Sequence, residues 1–332
     1  MKKAPASAVD HNTHGGNSLS MKKFISSILA ISACIAFLGL ITFSQHGEIN
    51  KIPHGINPNS NSPNFPGFTA TTGGTRKTTA MNYYGGPMII TPTIYIIWYG
   101  NWNQTNGSDN ANGQAIIRDW ANGIGGTPYY QLNKSLSING YNLTGSVLYG
   151  GDTSDNYSRG TSLTDSNIQS IVDSAITSNR LPYNSNGVYF VITSSDVNET
   201  SGFCTQYCGW HTYGNISTGQ HVRYSFVGNA KRCLSACAEQ SVGPNGNAGV
   251  DAAVSVLSHE LEEAATDPDI NAWLDSRGAE NADKCAWTFG HAQFQVNGAW
   301  ANMTFNNRNW LIQRNIYRTN GGFFCMVNSS QN

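Results

Sequence analysis

The sequence predicts an α/β or α+β domain: a mixed sheet flanked by helices, with one long helix near its C-terminal third, held by disulfides. Three observations predict it. Residues 93–99 (TIYIIWY) and 188–193 (VYFVIT) are β-branched and aromatic throughout, as strands covered on both faces are. Residues 166–178 and 250–266 place apolar side chains at helical spacing. The two kinds of segment interleave along the chain, which builds a sheet with helices packed on it.

The elements follow in order. Residues 1–20 read as a polar extension. Met21-Lys22-Lys23 then leads into an apolar run over 24–43, the pattern of an export segment. Residues 21–44 are expected to be either a signal peptide cut after Ser44 or an uncleaved anchor, since the run is long enough to span a bilayer. The lysines precede the run, so either form sends the rest of the chain outward. Met21 is an alternative start. Residues 45–80, broken by Pro53, Pro58, Pro63 and Pro66, read as a linker or a surface arm. One globular domain is expected over 81–332. A turn at 83–87 (YYGGP) precedes the strand 93–99. A short helix over 114–121 (QAIIRDWA) and a strand over 147–151 (VLYGG) follow. The helix over 166–178 carries Ile168, Ile171, Val172 and Ile176 on one face. The strand 188–193 is followed by 222–227 (VRYSFV), whose alternation predicts an exposed or edge strand. The last helix, 250–266, aligns Val254, Leu257, Leu261 and Ala265. No internal repeat is visible.

Bulk chemistry narrows the partners. With 19 Lys+Arg against 20 Asp+Glu, and charged residues only 12% of the chain, no basic surface is set up for nucleic acid. A membrane is expected to be touched only through an uncleaved 21–44. Of seven cysteines, Cys34 lies in the apolar run. Cys204, Cys208, Cys233, Cys237, Cys285 and Cys325 remain, and an even set in an exported chain reads as disulfides. The preferred pairing is Cys204–Cys208, Cys233–Cys237 and Cys285–Cys325. The rival reading is a four-thiolate zinc site built from the two C-x-x-x-C pairs.

The motif that carries chemistry is His259-Glu260-x-x-Glu263 in the last helix. His259 and Glu263 stand four apart and share a face, so both can hold one metal ion. In a zincin-like arrangement, Glu260 is the general base: the ion acidifies water, and Glu260 takes its proton as the oxygen attacks a carbonyl. Glu263 stands where such motifs more often carry a second histidine. A carboxylate there suits zinc and admits manganese or calcium. The expected third ligand is Glu280, with Asp283 beside it to orient a ligand; Asp269 and Asp283 are the alternates. The plainer reading is a solvated acidic helix end. Among other histidines, His211, His221 and His291 carry weaker signals. Ser258 lacks the Gly-x-Ser-x-Gly elbow of a nucleophile.

Several pieces in series resemble a known family. They are Tyr84-Gly85-Gly86-Pro87 with the strand ending Ile97-Trp98-Tyr99-Gly100, then 188–197, the stretch from Phe203-Cys204 to His211, 224–228 leading to Cys233 and Cys237, and Gly249-Val250-Asp251. Together they span roughly 81–327 and are similar to the Exordium, or phosphate-induced, proteins. That resemblance implies a secreted or cell-wall protein. Plant members are linked to cell expansion and growth signalling, with no settled enzymatic activity. This chain reads as a branch carrying a zincin-like motif. Two functions are therefore expected in competition. One is a metal-dependent hydrolase, a metallopeptidase acting on an extracellular peptide. The other is a noncatalytic extracellular protein that binds polysaccharide or protein, with Trp98, Trp102, Trp210, Trp273, Trp300 and Trp310 as stacking platforms.

Overall fold

The computed structural model describes residues 51–58, 76–290 and 294–329, all within one compact unit, Asn50–Asn332. The expected extension, the export segment with Cys34, most of the linker, and His291 lie outside the described residues.

A six-stranded mixed sheet forms the centre. Its strands are β1 (Ile52–Gly55), β2 (Thr93–Tyr99), β3 (Leu148–Asp155), β4 (Gly187–Thr193), β5 (Tyr207–Asn215) and β6 (His221–Gly228). The spatial order is β1-β5-β6-β4-β2-β3. Neighbours from β3 to β6 run parallel. β5 is antiparallel to β6, and β1 is antiparallel to β5. Every residue of β2 and β4 is buried, which is why these strands are apolar without alternation.

Three longer helices pack on this sheet: α1 (Ala111–Gly123), α2 (Asp165–Thr177) and α3 (Ala248–Thr266). Each begins on a side-chain cap. Asn110 accepts from Gly113 N–H, and Asn247 accepts from Val250 N–H. Thr164 and Asn167 bond each other's backbone in a capping box. α2 lies against β4 and β6, whereas α3 lies along β5 and β6 and also touches α1. The α1–α3 seam is fixed by Trp120, whose indole N–H donates to Ser258 Oγ at 2.9 Å. Ser258 is thus a structural partner of Trp120. α3 is buried from Gly249 to Thr266. A helix enclosed on all sides has no solvated face, so the acidic turn at 260–263 is not surface charge.

Several expectations are corrected. The segment 222–227 is neither an edge nor exposed: β6 is hydrogen-bonded on both sides. Its polar residues are accommodated individually. Ser225 Oγ donates to Trp210 O at 2.8 Å, and Arg223 reaches Asp269 at 2.9 Å. Within the stretch read as linker, β1 joins the sheet and His54 is buried. Beyond residue 266, where the sequence suggested no strands, the chain forms short ones. Asn315–Thr319 and Gly322–Met326 pair as a hairpin, and Arg76–Thr78 adds to its edge. Strands of three to five residues are too short to show a period.

All six late cysteines are bridged, which removes the four-thiolate zinc reading. Only Cys285–Cys325 matches the preferred pairing. The other two bonds are Cys204–Cys233 and Cys208–Cys237, with Cα separations of 5.8 and 5.4 Å. The reason is local. Cys233 is the N-cap of a single helical turn, Leu234–Cys237, that ends on Cys237. Side chains one turn apart project side by side rather than toward each other. Both sulfurs therefore reach across to the chain entering β5.

Candidate metal centre

The C-terminal half of α3 delivers His259, Glu260 and Glu263 into the interior, and other elements bring partners to them. β5 carries His211, placed opposite Ile52 of β1. β1 carries His54. The loop entering the short 3-10 turn Asp283–Cys285 supplies Glu280, and the turn itself supplies Asp283. Gln313 comes from the stretch before Asn315–Thr319.

His259 Nε2 lies 2.9 Å from Glu263 Oε1 and 3.5 Å from Asp283 Oδ1. It nevertheless makes no hydrogen bond, although the ring is fully buried. His259 Nδ1 is met by the amide nitrogen of Gln313, which fixes the ring with Nε2 toward the carboxylates. Glu263 Oε1 also accepts the Asp283 backbone N–H at 3.0 Å. His259, Glu263 and Asp283 each offer a ligand atom within 4.8 Å of the others. A second trio, His211, Glu260 and Glu263, meets the same condition. Ligands about 2.0–2.2 Å from a first-row ion stand roughly 3–3.5 Å apart, and the two separations from His259 Nε2 are of that size.

The unpartnered atoms point the same way. Both carboxylate oxygens of Glu260, Oε2 of Glu263, Oε1 of Glu280 and Nδ1 of His211 are buried without a hydrogen bond. Buried polar atoms are nearly always paired, so these atoms mark a place where a cation could be held.

Electrostatics agree. Burial pushes the carboxyl of Glu263 up to about 7, against the pull of His259. Burial raises Glu260, Glu262 and Glu280 well above the usual carboxyl range. Burial, reinforced by the charge of His259, lowers His211 and His54 to about 3. For His259 burial acts downward, but Glu263 and Asp283 prevail and hold it well above its ordinary value. Asp283 is held low by its contact with His259, despite burial. In protein alone, Glu260 and Glu280 are thus held toward their protonated forms, and a divalent cation would displace such protons.

The expected ligands thus separate. His259, Glu263 and Asp283 are brought together. Glu280 sits one step away: its Oε2 is 2.8 Å from His211 Nε2. Asp269 is elsewhere, bound to Arg223 at 2.9 Å and to His221 at 3.0 Å. Neither Asp269 nor His221 belongs to the centre. Glu262 points away from it and accepts from Asn315 Nδ2 at 2.8 Å.

The centre is closed by residues the sequence did not single out. The His54 ring lies 4.1 Å from that of His259 and 5.0 Å from that of Trp287. Trp287 donates to Gly55 O at 2.9 Å, pinning β1 over the site. Beside Asp283 a groove of about 360 Å³ opens to the surface, lined by Lys77, Thr79, Asp275, Arg277 and Lys284. The six tryptophans considered as stacking platforms form no exposed row. Trp98, Trp102, Trp210, Trp273 and Trp310 are buried, and Trp300 is half-buried.

Comparison with known proteins supplies the relationship. Residues 81–309 match the conserved region described as "Phosphate-induced protein 1 conserved region". The chain belongs to that family. It is 34% identical over 243 residues to Protein EXORDIUM-like 3 of Arabidopsis thaliana, covering 63% of this chain and 69% of the relative. It is 33% identical to Protein EXORDIUM-like 5 of the same plant, covering 63% and 65% respectively. Protein PHOSPHATE-INDUCED 1 of Nicotiana tabacum is 27% identical, covering 57% and 65%. The chain thus spans about two thirds of the length of these relatives. No solved structure matches significantly. The matched family region contains His211, His259, Glu260, Glu263, Glu280 and Asp283, whereas His54 and Gln313 fall outside it. Family membership and three disulfides are consistent with an extracellular location.

Proposed function

We propose that this chain is an exported, metal-dependent hydrolase whose ion, zinc in the first instance, is held by His259, Glu263 and Asp283. The observation that supports the reading is the fully buried set at His259: Nε2 lies 2.9 Å from Glu263 Oε1 and 3.5 Å from Asp283 Oδ1, beside a Glu260 whose two oxygens are unpartnered. The zincin-like placement of histidine and glutamate on one helix turn supports hydrolysis as the chemistry, since a bound divalent ion acidifies water. Glu260, next along the helix with both oxygens unpartnered, is the group at hand to accept a proton. In amide hydrolysis, water's O–H bond breaks, its oxygen bonds to the carbonyl carbon, and the C–N bond breaks as the amine takes the proton. Asp283 is the ligand that borders the surface groove, so a peptide substrate enters from that side.

The test is the metal content of the full chain after incubation with zinc, beside His259→Ala, Asp283→Asn and Asp269→Asn. Bound zinc is expected in the wild type and in Asp269→Asn, and is expected to be lost in His259→Ala and sharply weakened in Asp283→Asn. No metal in the wild type with zinc, manganese or calcium ends the metal reading. Stoichiometric zinc with no chelator-sensitive cleavage of a peptide library ends the hydrolase reading and leaves a structural ion.

A further inference from the structure

We infer that the centre holds two divalent ions, bridged by Glu263. This rests on the metal reading above and extends it. The first ion is that of His259, Glu263 and Asp283. The second lies among His211, Glu260 and Glu263, whose ligand atoms all fall within 4.8 Å of one another.

Glu263 belongs to both trios, and its two oxygens face different histidines. Oε1 is 2.9 Å from His259 Nε2, while Oε2 is 3.8 Å from His211 Nε2. Such a carboxylate can give one oxygen to each ion. The second trio also stands on an observation independent of its acidity. Glu260 is fully buried, and neither of its oxygens has a hydrogen-bond partner; the same holds for Glu263 Oε2. A general base waiting for water explains one free oxygen on Glu260. It does not explain the free oxygen of Glu263 aimed at the second histidine.

Charge counting leads to the same number. Glu260, Glu263, Glu280 and Asp283 are four carboxyls around one buried spot, and among the described residues no lysine or arginine forms an ion pair with any of them. With all four ionised, one divalent ion would leave two negative charges unbalanced in a low-dielectric interior. Two divalent ions balance all four, and buried charge is tolerated only when it is compensated. Glu280 stands 2.8 Å from the same His211 Nε2, a contact that an ion on that nitrogen would replace. In this arrangement Glu260 is a ligand rather than the proton acceptor.

The experiment loads the full chain with manganese and, separately, with zinc, and counts ions per chain by mass spectrometry. Near-UV circular dichroism confirms folding. Two ions are expected in the wild type and one each in His211→Ala and Glu260→Gln. The manganese-loaded wild type is expected to give the electron paramagnetic resonance spectrum of a coupled pair, and both variants that of an isolated ion. If His211→Ala does not fold, the isosteric Glu260→Gln decides alone. One ion in the wild type, unchanged in Glu260→Gln, overturns the pair and leaves the single-ion reading standing. Two ions that both survive Glu260→Gln overturn it as well. No ions at all overturns the underlying metal reading instead.

Discussion

The imidazole of His54, on the first strand of the sheet, lies 4.1 Å from that of His259 on α3, the two rings tilted by 34°. Gln313 ties the two rings together, one end of its amide 3.0 Å from His54 Nε2 and the other against His259 Nδ1. β1 therefore does more than extend the sheet: it forms the roof of the candidate metal centre. Replacing His54 with Ala removes this roof and one hydrogen-bond partner of Gln313. Stability should fall by about 1–3 kcal/mol. The rate at which a chromophoric chelator strips zinc from the loaded protein should rise at least about tenfold, as water gains a path to His259. An unchanged stripping rate would show that β1 does not guard the site.

The Cys285–Cys325 disulfide lies two residues from Asp283 and anchors the turn that carries it to the strand Gly322–Met326. Serine at both positions should cost on the order of 3–4 kcal/mol in urea unfolding, through freedom regained by the unfolded chain. It should also weaken zinc binding, because Asp283 loses its fixed seat. Serine at both Cys204 and Cys233 is the control. Cys208–Cys237 still joins the same two segments, so the loss of stability should be smaller and zinc binding unaltered. Equal weakening of zinc in both variants would sever the link between this disulfide and the site.

The legible parts of the fold were those whose burial is written locally. β2 and β4 are apolar at every position because both faces are covered, and α3 shows Val254, Leu257 and Leu261 at helical spacing. What was not legible depends on distant partners. Glu260, Glu262 and Glu263 look like solvent-facing charge until β1 and the 280–285 segment are laid over them. Arg223 and Ser225 suggest an exposed strand because their partners, Asp269 and the Trp210 carbonyl, come from elsewhere. The choice among third-ligand candidates turned on chain direction after Pro268. Asp267 bends the chain by accepting the N–H groups of Asn271 and Ala272, both at 2.6 Å, and Asp269 is carried out to Arg223. His54 had no local signal at all, sitting in a proline-broken stretch that reads as a linker.

Glu239 provides a pH test away from the candidate metal centre. Its carboxyl is buried, one oxygen has no partner, and burial, aided by nearby Asp251, pushes it up to about 8. The native state therefore keeps a proton that the unfolded chain releases near pH 4.5. Stability from this group is fully present below about 4.5 and is lost as pH rises through about 8. The swing is on the order of 5 kcal/mol, at roughly 1.4 kcal/mol per unit. Glu239→Gln keeps the shape and removes the titration. Melting temperatures of wild type and variant, with chelator present to silence the metal centre, should be close at pH 4.5. By pH 8.5 the variant should be the more stable, because it has no charge to bury. A constant difference between the two across that range would mean that Glu239 does not titrate as a buried acid, and that the loss of stability on the alkaline side arises elsewhere.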